Sequence, residues 1–158
     1  VGTRLVTGDG SPALDGVYKL ATLEGLPTMK VSENVGKRTL PGDKSVYRCT
    51  NKEGLWAGDV VTRIFEKNIQ RMTHPIYQFK TQDLTGWTKE PLLESVMTNG
   101  MVITPPKTIT EIAEWSSQRR AQLPAEYRRL DHPHLYKVGV SDELLQLQSE
   151  LSENVSRG

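Results

Sequence analysis

The chain has 158 residues, 36% of them hydrophobic and 25% charged, the balance of a globular chain long enough to bury one core. Its 20 basic and 19 acidic side chains leave a formal charge of +1, so no global field recruits nucleic acid or a membrane surface, and any anion site must be local. No apolar run approaches the ~20 residues that span a bilayer, and the first residues lack a basic-then-apolar leader, which makes the cytoplasm the expected location. The single Cys49 excludes an internal disulfide framework and a multi-cysteine zinc site. With no activating partner in the sequence, it reads as a small core or strand residue.

From residue 17 to 65 short β-prone segments alternate with turn chemistry. Strands are expected over 17–23 and 28–31 about Glu24-Gly25, and over 46–49 and 60–65 about the turn at 51–54. Tyr18 and Leu20, with Met29 and Val31, alternate with polar neighbours, as an antiparallel sheet with one wet face requires. Residues 72–79 give a further strand, with Pro75 at an edge or a strand start because it cannot donate to a ladder. Segments 92–97 and 101–103 flank Asn99-Gly100, the dipeptide that most readily takes the two positive-φ positions of a tight hairpin. Pro105-Pro106 ends the β-rich part.

Thr108 with Glu111 forms a capping box, and Ile109, Ile112, Ala113, Trp115 and Ser116 share one face, predicting a helix over 109–122. Pro124 interrupts it, and 125–129 forms a short further helix. Ser141 then caps a last helix carrying Leu144, Leu145, Leu147 and Leu151, with a polar tail from Ser152. No repeat or low-complexity linker divides the chain. The apolar stripes need more surface than the sheet supplies, so the chain is expected to dock on something larger.

Gly2-Thr3 is open to two readings from its residues alone: a turn with a hydroxyl, or part of a phosphate cradle, since glycine lets backbone amides approach an anion closely. Four blocks bear on the choice. They are Val1-Gly2-Thr3, Pro12-Ala13-Leu14-Asp15-Gly16-Val17-Tyr18-Lys19-Leu20, Met29-Lys30-Val31-Ser32 and Thr39-Leu40-Pro41-Gly42. In order and spacing they resemble the C-terminal portion of nicotinate phosphoribosyltransferases, with Asp15 where that family usually has glycine and without the Phe-Gly that precedes Val1 there. The closing Leu130-Asp131-His132-Pro133 and Tyr136-Lys137-Val138-Gly139-Val140-Ser141 extend the resemblance over essentially the whole chain.

The resemblance implies an α+β piece of a type II phosphoribosyltransferase: 1–16 as the end of an α/β barrel with its phosphate-binding loop, 17–104 as a β-rich, antiparallel region, and 105–158 as a helical region, in one continuous unit. It implies ATP-coupled conversion of nicotinate and phosphoribosyl pyrophosphate to nicotinate mononucleotide and pyrophosphate, with Mg²⁺ arriving on the substrates, usually in a homodimer. Gly2 and Thr3 inherit the sugar 5-phosphate role. Lys19 and Lys30 inherit contacts to pyrophosphate or ATP phosphates, beside the plain reading of solvated strand lysines. Arg4, Lys37, Arg38 and Lys44 are candidates to extend that basic surface. The family's phosphorylated histidine and its other catalytic groups belong upstream, so no catalytic residue or metal ligand is expected in this chain, and His74, His132 and His134 are read as structural. The isolated piece is expected to be inactive. A non-catalytic phosphate-binding or assembly module derived from the same fold is the alternative.

Overall fold

Lys44–Thr50 and Trp56–Arg63 form the long hairpin β3–β4, centred on β-branched residues that suit a half-buried pleated surface. Asn51 closes it by accepting at Oδ1 from the N–H groups of Glu53 and Leu55, both at 3.0 Å, and Gly54 supplies the positive φ. The structure, a computed structural model, describes residues 16, 18–32 and 37–156, the last two by backbone only. Around β3–β4 it builds a six-stranded sheet with β5 (Arg71–Thr73), β6 (Thr81–Asp83), β7 (Thr88–Pro91) and β10 (Val138–Val140), in the order β6-β5-β10-β4-β3-β7. Two small hairpins stand apart, β1–β2 (Thr22–Leu23 and Leu26–Pro27) and β8–β9 (Met97–Thr98 and Met101–Val102).

The sheet is mixed rather than wholly antiparallel. Val138, Gly139 and Val140 run parallel to Asp59, Val60 and Val61, because the chain returns from the helical region into the gap between β4 and β5. The stretch from 105 onward therefore contributes a strand as well as helices. Gly139 is required there: a Cβ on it would lie 2.8 Å from the Met72 Cβ on β5. Cys49, Val60, Ile69, Met72 and Leu84 form the core, with Tyr47 and Trp87 half-buried against it. Cys49 is fully buried, and burial pushes its thiol up to about 11, as an inert core cysteine requires.

Helix α1 (Ile109–Ala121) starts on the expected capping box, with Thr108 N–H donating to Glu111 Oε2 at 2.7 Å and Glu111 N–H to Thr108 Oγ1 at 3.3 Å. A 3-10 turn follows at Ala125–Tyr127. Helix α2 (Asp142–Ser156) is capped by the buried Ser141 and seats the fully buried Leu144 on the sheet. It runs past the expected tail at Ser152, since no glycine or proline breaks it before Gly158. In contrast α1 buries nothing: Ile109 is 87% exposed and Trp115 54%.

Several expected strands end elsewhere. Of 17–23 only Thr22–Leu23 pairs among the described residues, and the strand expected over 28–31 is replaced by Leu26–Pro27, which closes tightly on the Glu24-Gly25 turn. β4 stops at Arg63, and Phe65 takes a left-handed φ of 68° in an exposed turn. The strand expected over 72–79 ends at Thr73, because His74 Nδ1 accepts from the N–H groups of Ile76 and Tyr77, both at 3.1 Å, and turns the chain back into β6. The strand expected over 92–97 splits: β7 takes 88–91 and β8 starts at Met97, with Leu92 N–H still donating to Val46 O at 2.9 Å. The Asn99-Gly100 turn forms as expected, with φ of 50° and 78°.

Glu66 is buried and accepts from Ser141 Oγ at 2.6 Å and from Arg63 N–H at 3.3 Å. Burial raises its carboxyl above the usual 4.5, opposed by the Ser141 hydrogen bond. The fold thus favours the protonated form: its contribution is present below the ordinary glutamate range and is lost as pH rises through the raised value. Glu66→Gln keeps the acceptor and removes the titration. Thermal unfolding between pH 4 and pH 8 should find the variant as stable as the parent or more so at neutral pH, with the difference shrinking on acidification; a difference that grows towards pH 4 would contradict this.

Candidate functional site

Gly2 and Thr3 lie outside the described residues, as do Arg4 and Asp15. Lys19 and Lys30 are described and exposed. The β1–β2 hairpin pairs Leu23 with Leu26 and Thr22 with Pro27, and its last ladder bond runs from Thr28 N–H to Ala21 O at 2.8 Å. Lys19 stands two residues before that bond and Lys30 two residues after it, so the turn brings both to the same open end of one hairpin. Beyond the bond the strands part, and Lys30 N–H donates to Thr39 Oγ1 at 2.8 Å.

The block Thr39-Leu40-Pro41-Gly42 fastens that hairpin to the body. Gly42, at φ 71°, donates its N–H to Ala21 O at 2.8 Å, Pro41 is fully buried, and Gln148 Nε2 on α2 donates to Thr39 O at 3.1 Å. Lys44 does not extend the basic surface: half-buried, its Nζ donates to the carbonyls of Leu40 and Gly42, and burial lowers its pKa against the opposing charge of Asp43. Arg38 is exposed but spends Nε on Ser32 O at 2.9 Å, while Lys37 stays exposed.

A second cluster lies on the sheet and escapes the sequence reading. Arg48 on β3 faces Asp59 on β4 in register and donates through Nε and a terminal nitrogen to both carboxylate oxygens, each at 2.9 Å. Its guanidinium carbon lies 4.0 Å from the Trp56 ring centroid, and Tyr136 donates its hydroxyl to Asp59 Oδ1 at 3.1 Å. Arg119 of α1 lies 5.0 Å from the same Trp56 ring and pairs with Glu90 of β7 at 2.7 Å, while Trp56 N–H donates to Gln122 O at 2.9 Å. The Asp59 hydrogen bond raises the Arg48 pKa, and burial, then the Asp59 charge, raises that of Tyr136. Every charge here is neutralised, so the cluster is a clasp that holds the last turn of α1 to the sheet rather than a reactive centre. The signal that could have found it was one cation and one anion at facing positions of adjacent strands.

None of the histidines joins a reactive cluster among the described residues. His74 closes the β5–β6 turn, His134 sits edge-on to Tyr127, and His132 is exposed beside Asp131. Arg48→Met should cost about 2–4 kcal/mol by denaturant unfolding, because the buried Asp59 keeps only the Tyr136 hydroxyl. Arg119→Met should leave the sheet intact and speed amide exchange in the last turn of α1.

A mixed sheet with one docked helix, a second helix held by its end, and a side hairpin that carries two exposed lysines define an α+β domain. Residues 43–148 match the nicotinate phosphoribosyltransferase C-terminal domain, and the chain belongs to that family. It is 37% identical to the Caenorhabditis elegans nicotinate phosphoribosyltransferase over 153 residues, 92% of this chain and 27% of the relative. The Bacillus subtilis enzyme of that name is 30% identical over 152 residues, 90% of this chain and 31% of the relative. The crystal structure of human nicotinic acid phosphoribosyltransferase superposes with a TM-score of 0.70 at 28% identity, over 88% of this chain and 27% of that one. The chain thus spans less than a third of the length of these relatives.

Proposed function

We propose that this chain serves as the C-terminal part of a cytoplasmic nicotinate phosphoribosyltransferase, which joins nicotinate to the ribose 5-phosphate of phosphoribosyl pyrophosphate with ATP hydrolysis, in the salvage route to NAD. The observation that carries this is the family match over residues 43–148, with the ordered blocks before it. In this reading Gly2 and Thr3 present amides and a hydroxyl to the sugar phosphate. Lys19 and Lys30, at one end of one hairpin, present compact ammonium charges to the diphosphate or to ATP. The Thr39–Gly42 fastening then matters to activity by fixing where that hairpin stands.

Catalysis in such an enzyme rests on electrostatic stabilisation of a departing diphosphate and a cation-like ribose, with the nicotinate-binding and phosphorylated groups supplied from outside this segment. Mg²⁺ is proposed to arrive on the substrates' phosphates and to be held by them. When bound it neutralises the diphosphate. The complete enzyme is proposed to work as a homodimer, with no nucleic acid or membrane partner; no described helix is long and apolar enough to cross a membrane.

Two measurements test the reading. The 158-residue chain alone should form no nicotinate mononucleotide, whereas the complete protein should do so with nicotinate and not with nicotinamide or quinolinate. Product from the isolated chain, or none from the complete protein, would contradict it; the latter result favours the assembly module. In the complete enzyme Thr3→Ala should raise KM for phosphoribosyl pyrophosphate by the equivalent of about 1–3 kcal/mol, and an unchanged KM would return Thr3 to a turn residue.

A further inference from the structure

A cleft of about 560 Å³ opens between the β5–β6 hairpin and the segment that leads into β10, within the usual ~300–1,000 Å³ of small-molecule sites. Its apolar side is made by Met72, Leu135 and the ring of Tyr136, whose hydroxyl is already spent on Asp59. Its polar side carries Lys80, Lys137, His74 and Gln82, with Thr81 at its edge, and no aspartate or glutamate lines it.

Gln82 spends its amide Nε2 on Asp83 O at 3.2 Å, while the lysines and the histidine are donors. His74 Nδ1 accepts the two backbone N–H groups of Ile76 and Tyr77, which fixes the ring proton on Nε2 and leaves that N–H as the ring's remaining polar group. Lys80 is held over the rings of Tyr77 and Phe79, at 5.0 and 5.8 Å from their centroids. Neither Lys80 nor Lys137 pairs with a carboxylate among the described residues, whereas Arg71 on the opposite face of β5 pairs with Asp142. Two lysines without a carboxylate partner and an imidazole N–H thus share one cleft with an apolar wall.

We propose that this cleft binds a phosphate monoester with an apolar or aromatic ester group. A carboxylate would answer one ammonium, whereas a phosphate monoester brings a charge of about −1.5 to −2 and three acceptor oxygens to the two lysines and the His74 N–H. The ester group lies on the Met72, Leu135 and Tyr136 side. No residue of the β1–β2 hairpin lines this site, and it does not depend on the activity proposed above.

Phenyl phosphate, inorganic phosphate and phenol serve as probes, titrated into the 158-residue chain and followed by amide chemical shifts and calorimetry. Phenyl phosphate should shift the amides of His74, Thr81 and Gly139 and bind at least about tenfold more tightly than either of the other two. Lys80→Met and Lys137→Met should each weaken it by about tenfold or more with unchanged unfolding midpoints. The proposal is overturned if phenyl phosphate causes no shift up to about 10 mM, if its shifts lie away from the cleft, if inorganic phosphate binds equally well, or if the lysine variants bind as the parent does.

Discussion

When the chain comes back from the helical region, Val138–Val140 enters the sheet between β4 and β5, and that parallel pairing with Asp59–Val61 is the contact on which the other features hang. It is held by Asp59 N–H to Lys137 O and Ser141 N–H to Val61 O, both at 2.9 Å, and admitted by the absent side chain of Gly139. One end of the inserted strand delivers the Tyr136 hydroxyl to Asp59, completing the clasp. The other end delivers Ser141 to Glu66 and starts α2 over the sheet, so that Leu144 is buried. The cleft beside Met72 exists because the approach to β10 runs alongside β5 and β6. Three residues of strand thus organise both ends of the sheet, and their pairing spans more than 70 residues of sequence, a large loop-closure cost recovered only when the whole sheet forms.

Burial is uneven around this centre. The core under β3, β4 and β5 is small, whereas Ile109, Ile112 and Trp115 on α1 and Met97, Met101 and Val102 on β8–β9 remain exposed. A two-stranded hairpin is marginal in water, and a helix without a buried face depends on its caps and its anchored end. The Arg119 contacts to Trp56 and Glu90 supply that anchor at one end of α1 only. Apolar faces of this extent fit a segment that accounts for less than a third of the length of its relatives.

Features encoded within three or four residues were legible from sequence. The Thr108–Glu111 capping box, the Asn99-Gly100 turn and the Ser141 cap each depend on local donors and on φ, and each forms where expected. The three-residue β10 was not legible, because too short a run shows no periodicity and its partner is remote. The 72–79 segment misled for a different reason: its alternation is that of a strand, but the His74 ring takes the two N–H groups that a ladder would have used. Of the site, Lys19 and Lys30 were singled out by family resemblance, and the hairpin register adds only that they share one end. The Arg48–Asp59–Trp56–Arg119 clasp needed the strand register before its members could be seen as neighbours.

The same register makes the account measurable in solution. Native-state hydrogen exchange on the 158-residue chain reads the free energy of opening amide by amide. The amides of Asp59 and Ser141, which bind across the β4–β10 seam, should exchange among the slowest and by the same global opening, while those in the first turns of α1 and in β8–β9 exchange fast. Rapid exchange at Ser141 and Asp59 with β3–β7 still protected would show that the inserted strand is peripheral, and would contradict its role as the centre of the fold.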